Sequence, residues 1–329
     1  MRQLLWLIGV LALLTGVNIV LPRLVNPYIA QIIVLCGINT ILAVSLNLIN
    51  GFTGQFSIGH AGFMALGAYG SAMFTLHVGV RWVADFTAAG VAEPLAQGVA
   101  LLAALLLGGL LAALAGYLVG LPSLRLRGDY LAIVTLGFGE IIRVLILNVE
   151  AVGGARGLPG IPGWVNFFWV GVGVAAVIFL SRHLALSTHG RALFAIRDDE
   201  VAAEALGVDT TSYKVLAFVL GAFFAGVAGG LFAHFLSYLN PNSFTFIKSI
   251  EVIAMVVLGG MGSISGSVVA AVILTLMPEV LRPVKDYRMV IYSLMLIILM
   301  ITRPGGLLGS REISLGGLLK RFRPAREGA

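Results

Sequence analysis

Apolar runs and short polar connections alternate along the whole chain. The runs fall near residues 4–21, 29–49, 58–76, 95–119, 130–149, 164–180, 214–238, 249–260, 264–281 and 288–303. As helices rising about 1.5 Å per residue, most of them reach across a hydrocarbon core roughly 30 Å thick. The run at 249–260 covers only about 18 Å on that measure and stops at a pair of glycines, which predicts half of a broken helix. Fusing it with 264–281 would place "GGMGSISG" at the centre of one overlong helix, so the two are kept apart. The pattern predicts an all-α polytopic membrane protein, one transmembrane domain over 1–329, with about ten segments. The first run follows Arg2 and looks like a signal peptide, but no small-x-small cleavage site follows it, so it is read as a retained span.

Two stretches break the apolar pattern in a related way. "GFTGQFSIGHAG" at 51–62 and "GGMGSISGS" at 259–267 share a Gly-x-x-Gly followed by Ser and Gly, one residue out of register, a weak internal repeat. Paired interruptions of this kind mark the substrate path of many transporters, because unpaired backbone at membrane depth is tolerated only inside protein or beside water. Ser57, Gly59, His60, Gly62, Gly259, Gly260, Gly262 and Ser265 are the path candidates. Close helix packing is the other reading, since Ala61, Ala65, Gly67, Ala68, Ser71 and Ala72 have small-x-x-x-small spacing.

Composition narrows the class. Hydrophobic residues make up 59% of the chain and charged residues 11%, which excludes a water-soluble domain. A net charge of +6 at pH 7 reports basic cytoplasmic loops rather than nucleic-acid binding. With the N-terminus inside, most basic residues fall on the cytoplasmic side, which predicts cytoplasmic termini and a basic tail over 304–329. Lys248 falls outside on this count, as does the discordant cluster Arg282, Lys285 and Arg288. Cys36 is the only cysteine, which excludes an intramolecular disulfide and a cysteine metal cage. No P-loop, Gly-x-Ser-x-Gly or His-Glu-x-x-His pattern occurs, so the chain carries no ATPase or hydrolase motif of its own.

The longest internal polar insertion, 181–213, is predicted to be cytoplasmic. Asp198 is placed as a helix cap, Asp199 and Glu200 in the first turn, and Gly207 at the exit. Val201, Ala202, Ala205 and Leu206 form an apolar stripe on a helix too short to persist unless docked, on its own domain or on a partner. Among charges near the spans, Glu140 and Arg143 stand three apart and can pair, as a structural ion pair or as a gate, and they join the path candidates. His60 is read as a hydrogen-bonding residue, Asp129 as a helix cap, and Glu251 as lying near the outer end of its segment.

"LNLINGFTGQFSIGHAGFMALGAY", "GDYLAIVTLGFGEIIRVLILN", "GRALFAIRDDEVAAEALGVD" and "VVLGGMGSISGSVVAA", in this order, resemble the LivM-type permeases of ATP-binding-cassette importers for branched-chain amino acids. The likeness runs from about 29 to 309. It implies a non-enzymatic subunit of a bacterial or archaeal plasma membrane, without a cofactor, paired with a LivH-like permease. Two ATP-binding subunits and an extracytoplasmic binding protein are implied with it. It also implies that 190–209 is the coupling segment, with Arg191, Arg197, Asp198, Glu200, Glu204, Leu206 and Gly207 serving contact with the ATPases. Val152-Gly153-Gly154 stands where the family often has Thr-Gly-Gly. The same scaffold also serves urea and short-chain amide importers. An ion-coupled secondary carrier would need midplane carboxylates, and Glu140 is the only central one in this reading.

Overall fold

The computed structural model describes residues 9, 12, 14–18, 20, 25–123, 128–303, 305–309 and 312. The run at 4–21 and the tail at 304–329 therefore lie mostly outside the described residues. The helices are α1 (Pro27–Asn50), α2 (His60–Phe74), α3 (Val80–Ala88), α4 (Glu93–Ser123), α5 (Asp129–Asn148) and α6 (Phe167–Leu186). They continue with α7 (Thr188–Asp198), α8 (Glu200–Ala205), α9 (Thr210–Leu236), α10 (Phe246–Gly259), α11 (Ile264–Val280) and α12 (Arg288–Thr302).

Among the described residues, seven helices are long and apolar enough to cross a bilayer. One of them runs from His60 to Ala88, because α2 passes through a π-helical turn at Thr75–Gly79 directly into α3. Thr75 Oγ1 and His234 Nε2, 2.8 Å apart, tie that turn to α9. α10 has 14 residues and α12 has 15, so at about 1.5 Å per residue neither spans the core unaided.

Buried faces of α1, α2, α4 and α9 make the centre of the molecule, with Phe63 and Phe218 in edge contact at 5.6 Å between ring centroids. α2 and α9 approach backbone to backbone: a Cβ on Gly67 would overlap Gly226, and one on Gly229 would overlap the Met64 carbonyl. This is the small-residue packing that the spacing around Gly67 predicts, and it places α2 rigidly. Gly67→Val is therefore expected to destabilise the domain by at least about 1–3 kcal/mol, read as a lowered melting temperature in detergent. At one end of the bundle a two-stranded ribbon pairs Leu158 with Leu239 and Pro159 with Tyr238, fixing the glycine-rich loop against the end of α9.

Candidate functional site

The two interrupted segments meet. After α1 ends, residues 51–59 have no regular helix or strand, yet Phe52, Thr53, Gln55 and Ser57 are buried. Side chains stand in for the missing backbone partners. Asn50 Oδ1 accepts the Ser57 N–H at 3.2 Å, Thr135 Oγ1 accepts that of Ile58 at 3.0 Å, and Ser249 Oγ accepts that of Ala61 at 3.0 Å. The second interruption separates α10 from α11, with Gly260 at φ 104° and Gly262 at φ 89°, backbone that side-chain-bearing residues rarely adopt. Asn47 Oδ1, from α1, accepts the Gly262 N–H at 2.8 Å. A Cβ on Gly51 would overlap the Gly262 nitrogen, so the related stretches lie in direct contact.

The path candidates are tightly placed. Ser57 and His60 are fully buried, and His60 Nε2 lies 2.8 Å from Ser45 Oγ. Gly59 abuts the Thr135 carbonyl, Gly62 faces the Gly139 backbone, and Gly259 abuts Gly266. Ser265 is half-buried; its N–H and hydroxyl donate to Glu312 Oε2 at 3.3 and 2.8 Å. Asn47 Nδ2, Asn50 Nδ2, Gln55 Oε1, Ser57 Oγ and His60 Nδ1 are buried without a hydrogen-bond partner among the described residues.

Arg197 joins both interruptions to the polar insertion. It sits at the end of α7, where its Nη1 donates to the Gly51 carbonyl at 3.3 Å. A Cβ on Gly54 would come within 3.1 Å of Arg197 Cγ, and one on Gly262 within 2.9 Å of Nη1. Its guanidinium also pairs with Asp198 at 3.0 Å and lies 5.1 Å over the Phe194 ring. Phe194 in turn packs on Phe52, with centroids 5.0 Å apart. α7 thus grips the first interruption with an aromatic pair and touches both interruptions with one cation.

The short helix predicted in this loop is α8, six residues long. Its cap is Asp199, which accepts the Ala202 N–H at 3.0 Å; Asp198, the expected cap, is still the last helical residue of α7. Gly207 exits at φ 84°, the left-handed turn expected of it. All four stripe residues are exposed, Val201 at 63% and Leu206 at 84%, and the helix is buried instead at Ala203, outside the stripe. Glu200 pairs with Lys214 at 2.6 Å and Glu204 accepts the Thr210 hydroxyl at 2.7 Å, so both acids hold the loop to its own domain. Arg191 is exposed. The Ser212 hydroxyl and amide hold the Asp209 carboxyl below its ordinary range and brace the start of α9.

Glu140 and Arg143 pair at 2.8 Å, with side chains 33% and 22% exposed. Glu140 Oε1 also accepts the Phe246 N–H at 3.2 Å, which fastens α5 to the first residue of α10. A cavity of about 10 Å³, lined by Gly62, Gly139, Glu140, Phe244 and Ser249 among others, adjoins it, about the space one water fills. Removing either partner is expected to cost about 1.5–3 kcal/mol, and the double variant less than the sum by about 0.5 kcal/mol or more, in thermal unfolding in detergent. Asp129, the other expected cap, is the first helical residue of α5, preceded by Gly128 at φ 60°.

Lys248 differs from expectation. Lys248 is not in an outer loop but in the first turn of α10, where Nζ donates to Asn39 Oδ1 at 3.1 Å and to Glu251 at 3.2 Å. Asn39 is midway along the 24-residue α1, so the pair lies beside the middle of that helix. The run at 249–260 concealed this because α10 begins earlier, at Phe246. Asn47, Asn50, Thr135 and Ser249 were missed as well. Their signal is the polar residue inside an apolar run, as in "SLNLIN".

The model of the family described as "Branched-chain amino acid transport system / permease component" matches residues 28–301. The high-affinity branched-chain amino acid transport system permease protein LivM of Salmonella typhimurium is 38% identical, over 87% of this chain and 71% of its own length. LivM of Escherichia coli is 36% identical, over 93% of this chain and 75% of its own. LivH of Escherichia coli is 33% identical over 44% of this chain and 47% of its own. No solved structure matches. With seven membrane-length helices and a family match covering most of its length, the chain belongs to the branched-chain amino acid transport system permease family.

Proposed function

We propose that this chain is one of the two permeases of an ATP-binding-cassette importer in a bacterial or archaeal plasma membrane, moving branched-chain amino acids handed over by an extracytoplasmic binding protein. About ten segments with both termini in the cytoplasm fit the distribution of basic residues. The second permease is LivH-like, in keeping with the part-length similarity to LivH. ATP is bound by two partner ATPases, and the chain itself holds no cofactor. The path candidates Ser57, Gly59, His60, Gly62, Gly259, Gly260, Gly262 and Ser265 line the moving part of the route, and Glu140 and Arg143 its edge.

The observation that carries this reading is the connection at Arg197. A loop whose far side offers Val201 and Leu206 to a partner is bonded, through one guanidinium, to the first interrupted segment and lies against the second. Force applied at α8 would reach the interruptions without crossing the bundle. The unpartnered polar atoms there leave hydrogen-bonding capacity for a second arrangement.

Affinity purification of the tagged chain from its native membrane, with the associated proteins identified by mass spectrometry, tests this. The expected result is a second permease and ATPase subunits in the same complex. A chain recovered alone or only with copies of itself, under conditions that keep other membrane complexes whole, would contradict it.

A further inference from the structure

The Lys248–Glu251 pair, like Glu140–Arg143, joins residues three apart on one helix and is partly exposed, and its ammonium is held in addition by Asn39 of α1. Asn39, which fixes it, is about 17 Å from either end of α1 at about 1.5 Å per residue, the depth of the bilayer midplane. Asn39 is itself fixed, donating from Nδ2 to Thr275 Oγ1 of α11 at 2.9 Å. Yet the pair is not sealed inside: the Lys248 side chain is 22% and that of Glu251 43% exposed. Next to it on α10, Phe246, Ile247 and Ile250 are 47%, 56% and 49% exposed. Ionised side chains at this depth do not face lipid; they face a water-filled cavity or another protein.

We propose that this face of α10 is the substrate's station in the membrane, where the Lys248–Glu251 pair receives the zwitterionic head group of an α-amino acid and Ile247 and Ile250 take its aliphatic side chain. The inference rests on the importer reading above and adds the groups that recognise the substrate. An ion pair is the complement of a zwitterion. The substrate carboxylate meets the Lys248 ammonium, its ammonium meets the Glu251 carboxylate, and one pair is exchanged for two with no change in net charge. Lys248 is anchored by Asn39, whereas Glu251 is the more exposed partner and the one that moves aside. The apolar shelf alongside offers burial to a branched aliphatic side chain. A neutral solute such as urea would gain nothing from separating the pair.

The test uses the complete complex, with its partner permease, ATPases and binding protein, in proteoliposomes. Lys248→Met and Glu251→Gln should each lower leucine uptake about tenfold or more, since a charge-assisted contact is lost, and Lys248→Glu/Glu251→Lys should recover part of it. In a Cys36→Ala background, Ile250→Cys should react with a water-soluble thiol reagent in at least one nucleotide state, and leucine should slow that reaction. Uptake unchanged in both single variants would overturn the proposal. So would an Ile250→Cys that stays unreactive in every nucleotide state, which would mean that the partner permease covers this face. Should a charge variant fail to assemble, the cysteine measurement decides by itself. A wild-type complex that imports no amino acid would instead refute the importer reading.

Discussion

Arg197→Ala is expected to cut ATP-driven uptake by the assembled importer about tenfold or more while ATP hydrolysis continues, because a charge-assisted bond of about 1.5–3 kcal/mol is lost. Its Nη1 holds the Gly51 carbonyl and lies beside Gly262, so the substitution cuts the contact between α7 and both interruptions at one point. Phe194 stays on Phe52, so α7 remains docked and the chain folds. Arg197→Lys should restore little, since a point ammonium cannot reach Gly51 while also holding Asp198 and lying over Phe194. The measurement is the ratio of amino acid imported to ATP hydrolysed in proteoliposomes. An unchanged ratio in Arg197→Ala would mean that motion reaches the interruptions by another route.

The second large effect is expected at the exposed end of α8. Leu206→Asp should release the ATPases during purification or abolish uptake, while membrane insertion and the melting temperature of the permease stay unchanged. Leu206 is 84% exposed, so a carboxylate there costs the isolated chain almost nothing. In a docked complex the same carboxylate would be buried in an apolar pocket without a partner, at a cost of several kcal/mol. Gly207→Val should behave similarly for a different reason, because a β-branched residue does not adopt φ 84° and the turn presenting Leu206 would shift. ATPase subunits retained at wild-type levels in both variants, with normal uptake, would return this loop to packing on its own domain. Glu200 and Glu204 are weaker candidates for partner contact, since Lys214 and Thr210 already engage them.

The membrane-spanning helices were legible because repeated apolar runs of bilayer length are too long and too poor in charge to be the helices of a water-soluble domain. The break at Gly260–Gly262 was legible because glycines interrupt an otherwise unbroken run. That the two interruptions touch is also foreshadowed by their likeness, though nothing local says that Asn47 of α1 is the residue joining them. Errors arose where a boundary decided an environment. Starting the broken helix at 249 rather than Phe246 put Lys248 in an outer loop, and so concealed its ion pair with Glu251 in the first turns of α10. The same sensitivity to a boundary moved the α8 cap from Asp198 to Asp199. Arg197 shows a different limit. Its place in a loop expected to be cytoplasmic suggested contact with a partner, and its side chain also reaches the interruptions, a direction that only the three-dimensional arrangement supplies.

Transport driven by ATP through separate subunits is the central claim, and reconstituted uptake tests it most directly. Radiolabelled leucine uptake would be measured in proteoliposomes holding the purified chain alone, then with the second permease, the ATPases and the binding protein. Uptake is expected only with all components present and ATP on the cytoplasmic side, and it should stop when a non-hydrolysable nucleotide replaces ATP. Uptake by the chain alone, driven by a sodium or proton gradient without ATP, would contradict that claim.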